Sequence, residues 1–240
     1  MSIVVEPVNR RLPAAAATVP EGPRVNLGCG PVFGENWINV DGSRRARLVS
    51  RAPRLDRLLV RLGLLRPSTF HPGVVYHDLR RPLPWKTNSV AAIYAGEVWE
   101  HFEYPDAVRV TCECHRVLMP GGALRLCVPD GVEFWERYLS IFIEEQAKDR
   151  AHQDAARLRA HVQMYFDDIC TRPPGLRSFG HYHKWQYDEV QLMDLFTRCG
   201  FEEVARRAFR DSRIPDIGAI ERSDFLIVEG IKGAEQTSPR

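Results

Sequence analysis

Five short apolar runs recur along the first 130 residues and alternate with turn residues and amphipathic patterns. The runs are Val25–Leu27, Trp37–Val40, Gly73–Tyr76, Val90–Tyr94 and Ala123–Val128. Strands that alternate with helices form a parallel sheet with helices on both faces. Two later runs, Phe201–Phe209 and Phe225–Ile231, are predicted to form an antiparallel pair at the edge of that sheet. We therefore predict an α/β fold with seven strands, most of them parallel.

The composition is that of one globular domain, with 44% hydrophobic and 27% charged residues in 240. We expect a flexible arm over residues 1–23, a domain over 24–232 and a flexible tail over 233–240. Within the domain, residues 133–183 are predicted to form a helical lid or substrate-binding insertion after the fifth strand. No stretch approaches the ~18 apolar residues of a membrane span, and the N-terminus lacks the apolar core of a secretory signal. A cytoplasmic protein without integral membrane contact is expected.

The six cysteines do not form the spacing of a zinc site. Cys112 and Cys114 precede His115, but helix neighbours two residues apart point to different faces. We therefore expect no metal, and reduced cysteines in a cytosolic protein.

A glycine pair, Gly28-Cys29-Gly30, follows the first apolar run. Glycine allows a tight turn and lets a ligand approach the backbone N–H groups closely. A dinucleotide-binding loop would have a third glycine at position 33, which is Phe33 here, and the next glycine, Gly34, comes one residue later. This difference disfavours a nicotinamide or flavin cofactor.

Carboxylates end the second and third runs. Asp41 occupies the position from which an acid accepts hydrogen bonds from ribose hydroxyls. Asp78 ends the third run, where an acid can receive the exocyclic amine of adenine. Either residue alone could simply cap a helix, but their order behind the glycine loop favours a nucleoside site.

These residues belong to a longer pattern that resembles the class I S-adenosylmethionine-dependent methyltransferases, of the small-molecule and glycan-tailoring type. The matching segments are Asn26–Gly30, Trp37–Asp41, Asp78–Pro84, Ile93–Phe102, Glu113–Gly122, His183–Asp188 and Cys199–Phe201. The resemblance implies a Rossmann-like sheet and S-adenosyl-L-methionine as the cofactor.

The resemblance also implies roles for individual residues. Three groups of residues would bind the cofactor. Its methionine end would be bound by Asn26, Gly28, Cys29 and Gly30. Its ribose would be bound by Asp41 with Gly42, and its adenine by Asp78 with Leu79. Ala95, Gly96 and Glu97 would lie beside the sulfonium. Asn26 stands where many relatives have an acid, and Glu97 where this group often has histidine. For Glu97, the roles of cofactor ligand, general base and helix N-terminal acid remain open.

Two histidines are the candidates for removing a proton from the methyl acceptor. Histidine suits this task because its pKa lies near working pH. His183 is the first choice, since it lies in an aromatic segment over residues 179–185 that would cover a substrate pocket. His101, which follows the fourth run, is the second; a structural role is the alternative for both.

The segment over residues 44–66 carries leucines at helical spacing with arginines between them. It is either a helix that covers the sheet with a solvated basic edge, or a surface for an anionic membrane or polyanionic substrate. The net charge of +2 is too small to indicate a nucleic-acid partner.

Three functions follow. The first is an enzyme, an O-methyltransferase in the main interpretation, that methylates a hydroxyl or amine of a small metabolite, sugar or natural product. The second is a non-catalytic S-adenosylmethionine-binding or regulatory protein. The third is a peripheral binding module that uses the basic 44–66 helix. The sequence names neither the acceptor nor the oligomeric state, and it leaves a homodimer open.

Overall fold

The structure is a computed structural model that describes residues 18–166 and 182–234. The strands in these ranges are β1 (Arg24–Leu27), β2 (Ile38–Asp41), β3 (Val75–Tyr76), β4 (Val90–Gly96), β5 (Leu118–Val128), β6 (Phe201–Arg206) and β7 (Leu226–Lys232). They form one sheet in the order β3-β2-β1-β4-β5-β7-β6. Neighbouring strands from β3 to β5 are parallel, whereas β7 is antiparallel to both β5 and β6. The predicted Rossmann-like α/β fold is confirmed.

The helices in the described ranges are α1 (Arg44–Arg51), α2 (Pro53–Arg61), α3 (Tyr104–Val117), α4 (Gly131–Gln146), α5 (Ala155–Tyr165) and α6 (Glu189–Arg198). α3 and α6 pack their apolar residues on one face of the central strands. On the other face, the connection over residues 207–225 supplies Ile214, Ile217 and Ile220 to a second buried cluster. No helix in the described part of the chain is both long and apolar enough to cross a bilayer.

The basic segment forms two helices where the sequence pattern indicates one. The break falls at Ala52, with Pro53 as the first residue of α2. Proline has no N–H to donate and disfavours helical backbone at the preceding residue, but it fits well at a helix start.

The predicted helical insertion contains α4, a short 3₁₀ turn (Arg150–His152) and α5. Its residues 167–181 lie outside the described residues, as do residues 1–17 of the predicted arm and 235–240 of the predicted tail. Val19 is buried against the sheet. The domain boundaries stay a prediction.

Arg125 joins the sheet to the 207–225 connection through a fully buried ion-pair network. Its Nε and Nη2 donate to the two carboxylate oxygens of Glu221, at 2.7 and 3.0 Å, and Nη1 donates to Glu229 at 3.2 Å. The carbonyls of Ala208 and Asp211 accept from the remaining N–H groups. Buried charges need this degree of pairing, so the network fixes the 207–225 connection on the sheet.

One cysteine pair differs from the sequence-based expectation. Cys112 in α3 and Cys199 after α6 form a disulfide, with Cα atoms 4.9 Å apart. Cys29, Cys114 and Cys127 are free and buried. The expectation of reduced cysteines is wrong for Cys112 and Cys199, because the packing of α3 against α6 brings together residues that are 87 apart in sequence.

Candidate functional site

The loop after β1 gives open backbone at the carboxyl edge of the sheet. Gly28 and Gly30 both have left-handed backbone, with φ of 66° and 52°. A side chain on Gly28 would collide with Val98, whereas one on Gly30 would meet no atom within 4 Å. The Cys29 amide donates to the Val40 carbonyl at 2.9 Å, which holds the loop on β2. The loop therefore offers a ligand access to its backbone, as the expected cofactor requires.

The thiol of Cys29 is not a nucleophile at neutral pH. Burial and the nearby carboxylate of Asp41 raise its pKa to about 12, and a thiol reacts as the thiolate. Cys29 therefore acts as a packing residue of the loop.

Asp41 lies at the end of β2, almost fully buried, and connects two loops. One carboxylate oxygen accepts from the Gly30 amide at 3.2 Å, and the other accepts from the Ser43 amide at 2.8 Å. Gly42 follows, close to the His77 carbonyl. A carboxylate oxygen has a second lone pair, so these bonds orient Asp41 without using up its capacity for ribose hydroxyls.

Asp78 lies beyond the end of β3 and is paired with Arg80. Its oxygens accept from Nε and Nη2 of Arg80 at 2.9 and 2.8 Å. These hydrogen bonds hold the pKa of the Asp78 carboxyl below its usual range. Leu79 is buried. Contact of Asp78 with adenine remains a prediction.

Asn26 is buried in β1, and its side-chain amide donates to Asn39 Oδ1 at 3.1 Å. Asn39 also binds the backbone of Gly34 and Trp37, so it organises the turn between β1 and β2. Sequence analysis missed Asn39; the signal available was a polar residue in the middle of an apolar strand.

The end of β4 is strained. Glu97 has left-handed backbone (φ 58°) although it has a side chain, and its amide donates to the Cys127 carbonyl at 2.8 Å. Its carboxylate accepts from Ser223 Oγ. Strain of this kind is common at functional sites. Ala95, the residue before Gly96, is buried in the core.

A small cleft of about 60 Å³ joins five of the predicted cofactor residues. Those five are Asn26, Gly28, Cys29, Gly96 and Glu97, and the cleft is also lined by Val32, Tyr94, Ile220, Arg222 and Ser223. Asp41, Gly42, Asp78, Leu79 and Ala95 do not line it. Ser223 and Arg222 were not predicted, because they lie in the connection before β7, which is far from the other cleft residues in sequence. A larger cavity of about 510 Å³ includes Pro20, Pro120 and Lys232, near the amino end of β5 and away from these residues.

The two predicted acceptor-side histidines lie together. Their ring centroids are 5.0 Å apart in an edge-on arrangement, and His101 Nδ1 lies 3.2 Å from the Tyr182 carbonyl. Backbone bonds from Lys184 and Trp185 to the Glu100 carbonyl, at 2.7 and 3.2 Å, hold this segment against the turn after β4. Residues 179–181 of the predicted aromatic segment lie outside the described residues.

Glu100 is the residue that sequence analysis missed here. It is 2% exposed, and neither carboxyl oxygen has a hydrogen-bond partner among the described residues. His183 Nε2 is 3.9 Å from Glu100 Oε1. Burial, with a smaller contribution from Glu97, raises the pKa of Glu100 to about 8. The hydroxyl of Tyr187 is likewise buried without a partner among the described residues.

Comparisons with known proteins agree with this architecture. Residues 25–126 match a family described as "Methyltransferase domain". No curated protein matches the chain.

One similar solved structure is an S-adenosylmethionine-dependent methyltransferase from Thermotoga maritima, with 18% identity, coverage of 89% of this chain and 84% of that chain, and a TM-score of 0.44. A second is an S-adenosylmethionine-dependent methyltransferase from Archaeoglobus fulgidus, with 12% identity, coverage of 88% of this chain and 86% of that chain, and a TM-score of 0.46. A third is phosphoethanolamine N-methyltransferase 2 from Haemonchus contortus in complex with S-adenosyl-L-methionine, with 13% identity, coverage of 89% of this chain and 49% of that chain, and a TM-score of 0.46. Likeness at this level says nothing about the substrate. The match over residues 25–126 is to a methyltransferase domain, in agreement with the cofactor that the sequence resemblance implies, S-adenosyl-L-methionine.

Proposed function

We propose that this protein transfers a methyl group from S-adenosyl-L-methionine to a hydroxyl or amine of a small metabolite, sugar or natural product. The observation that carries the acceptor side of this proposal is the buried Glu100 beside His183, just after the end of β4. Titratable groups with strongly perturbed pKa values are enriched at catalytic sites. A hydroxyl acceptor is favoured, because a hydroxyl is a weak nucleophile until its proton leaves, whereas a neutral amine is already nucleophilic.

On the cofactor side, the chain's own residues bind and orient. In this proposal the backbone of Gly28, Cys29 and Gly30 contacts the methionine end, with Asn26 behind them. Asp41 and Gly42 hold the ribose, and Asp78 and Leu79 contact the adenine. Ala95, Gly96 and Glu97 lie beside the reacting centre. When bound, the cofactor supplies an electrophilic methyl group on a sulfonium that departs as a neutral thioether.

On the acceptor side, the chain orients the nucleophile and removes its proton. The acceptor's lone pair forms the new bond to the methyl carbon in line with the bond that breaks, so positioning contributes much of the rate. The imidazole of His183 takes the hydroxyl proton as the oxygen loses charge density. Glu100 Oε1 lies 3.9 Å from Nε2 of His183, close enough for its carboxyl group to orient the imidazole ring. Glu100 is in this view a positioning residue.

His101 is the second candidate for the base. Donation from Nδ1 to the Tyr182 carbonyl would leave Nε2 with the lone pair. The edge-on contact of the two rings means that either imidazole could receive the proton from an acceptor in the same place.

The test combines cofactor binding with product formation. Calorimetry with S-adenosyl-L-methionine is followed by incubation with a panel of hydroxyl and amine compounds, and S-adenosylhomocysteine release is measured. Acceptor-dependent release that fails in His183→Ala but persists in His152→Ala, an exposed histidine of the 3₁₀ turn, supports the proposal. Cofactor binding without release on any acceptor would instead favour the non-catalytic, regulatory function. Absence of cofactor binding would contradict both.

A further inference from the structure

The helices α1 and α2, with the turn that follows them, form a basic surface over residues 44–66. This segment contains eight arginines and one acid, Asp56, so its net charge is +7, whereas the whole chain carries +2. The rest of the chain is therefore net negative. Such an asymmetry concentrates the positive potential on one side of the protein.

The same segment exposes leucines. Leu55, Leu58, Leu62 and Leu64 are between 47% and 68% exposed. Leu55, Leu58 and Leu62 have the spacing that places residues on one side of a helix, and Arg54, Arg57 and Arg61 each precede one of them, so they form a row alongside. Exposed apolar side chains that cluster in this way mark an interaction surface.

The packing of the segment explains why these leucines are left outside. Asp56, on the protein side of α2, is buried and pairs with Arg45 of α1 at 3.0 Å. Arg45 also donates to the Arg66 carbonyl at 2.9 Å. Arg45 therefore holds α1, α2 and the end of the segment in one arrangement, with the leucine row turned away from it.

We propose that this surface docks the protein on a membrane that contains anionic phospholipids. The leucines would enter the boundary between headgroups and acyl chains, and the arginines beside them would pair with lipid phosphates. A nucleic acid would use the arginines but leave the leucines in water. A second copy of this chain would bring two faces of charge +7 together, which repulsion disfavours.

The test is co-sedimentation of the full chain with vesicles of phosphatidylcholine alone and of phosphatidylcholine with phosphatidylglycerol. We expect binding to the mixed vesicles, weaker binding to the neutral ones, and a decrease with added salt. Leu58→Ser with Leu62→Ser should reduce binding at least about tenfold through lost apolar burial. Arg57→Gln with Arg61→Gln should reduce it about tenfold through lost attraction to the anionic surface.

The matched controls are Val190→Ser and Arg137→Gln, which remove an exposed valine of α6 and an exposed arginine of α4. Both should bind vesicles like the wild type, and circular dichroism should show all variants folded. Equal binding to both vesicle types, or leucine variants that bind like the wild type, would overturn the proposal. The proposal would also be overturned if the protein did not bind the mixed vesicles but bound DNA or RNA, and if the leucine changes left that binding unaltered.

Discussion

His183 Nε2 lies 3.9 Å from Oε1 of Glu100, a carboxyl group that is almost completely buried. The two residues are distant in sequence, since Glu100 follows β4 and His183 precedes α6. A buried carboxyl group without hydrogen bonds is costly to ionise, and a positive charge on the neighbouring imidazole would reduce that cost. This pair gives the sharpest tests of the proposed chemistry.

Replacing His183 with alanine should lower kcat by about 10²–10⁴ with a hydroxyl acceptor, because the general base is lost. Affinity for S-adenosyl-L-methionine should stay within about threefold, a difference below ~0.7 kcal/mol. Steady-state kinetics and calorimetry measure the two quantities.

His152→Ala serves as the control for this change. If His183→Ala is as active as the wild type, His101 becomes the candidate base and His101→Ala should lose activity. Full activity in both variants would show that positioning alone carries the reaction, as for an amine acceptor.

Glu100→Gln should change how stability depends on pH. Burial raises the pKa of Glu100 from 4.5 to about 8, so between these values the folded protein binds a proton that the unfolded chain has released. Stability of the wild type therefore falls as pH rises through that window. Glutamine does not titrate. The free energy of unfolding of the variant, relative to that of the wild type, should therefore rise by at least ~1 kcal/mol between pH 5 and pH 8, since one pKa unit corresponds to about 1.4 kcal/mol. Denaturant unfolding at both pH values measures the gain; the same difference at both would contradict a raised pKa.

The placement of the candidate cofactor residues at strand ends is largely predictable from sequence. Gly28, Gly30 and Asp41 lie at strand ends, where the two-residue strand period and the turn residues fix their position, and the structure joins the Gly30 amide to Asp41. Local spacing carries this information because the carboxyl ends of parallel neighbours meet at one edge.

The rest depends on contacts between distant parts of the chain, which periodicity does not encode. Ser223 binds Glu97 across 126 positions, and Lys184 pairs with the Glu100 backbone. Glu100 itself lies beside a histidine in sequence and gives no sign of its burial. The disulfide of Cys112 and Cys199 likewise follows only from helix packing.

Asp41→Asn should weaken cofactor binding by ~1–3 kcal/mol, because the ribose hydroxyls lose a charged acceptor. Asparagine has one acceptor oxygen and can bind only one of the two backbone amides that Asp41 binds, so the melting temperature should also fall, and affinity is compared where the variant is folded. Calorimetry with S-adenosyl-L-methionine measures the affinity, and Asp106→Asn on the surface of α3, where Asp106 pairs with Arg109, is the control. An unchanged affinity would remove Asp41 from the site.

Chelation should leave activity unchanged. Ligand atoms of Glu100, His101 and His183 lie within 4.8 Å of one another, but the 3.9 Å between His183 Nε2 and Glu100 Oε1 exceeds the ~3.4 Å between ligands of a tetrahedral zinc ion. Dialysis against a chelator, followed by the release assay, checks this expectation. Loss of activity that returns with one added metal would contradict the prediction that the site binds no metal.

Arg125→Met should destabilise the fold strongly, by about 3–5 kcal/mol, because it leaves the carboxylates of Glu221 and Glu229 buried without their partner. The methionine side chain keeps most of the volume, so the loss reports on charge pairing and not on a cavity. Arg198→Met is the matched control: this arginine pairs with Asp194 at 2.6 Å, but both side chains are largely exposed, and such surface pairs contribute about 1 kcal/mol or less. Urea unfolding of both variants measures the difference. Since Glu221 also anchors the connection that carries Ser223, a folded Arg125→Met protein should in addition bind S-adenosyl-L-methionine more weakly. Equal stability of the two variants would mean that the 207–225 connection is held mainly by its isoleucines.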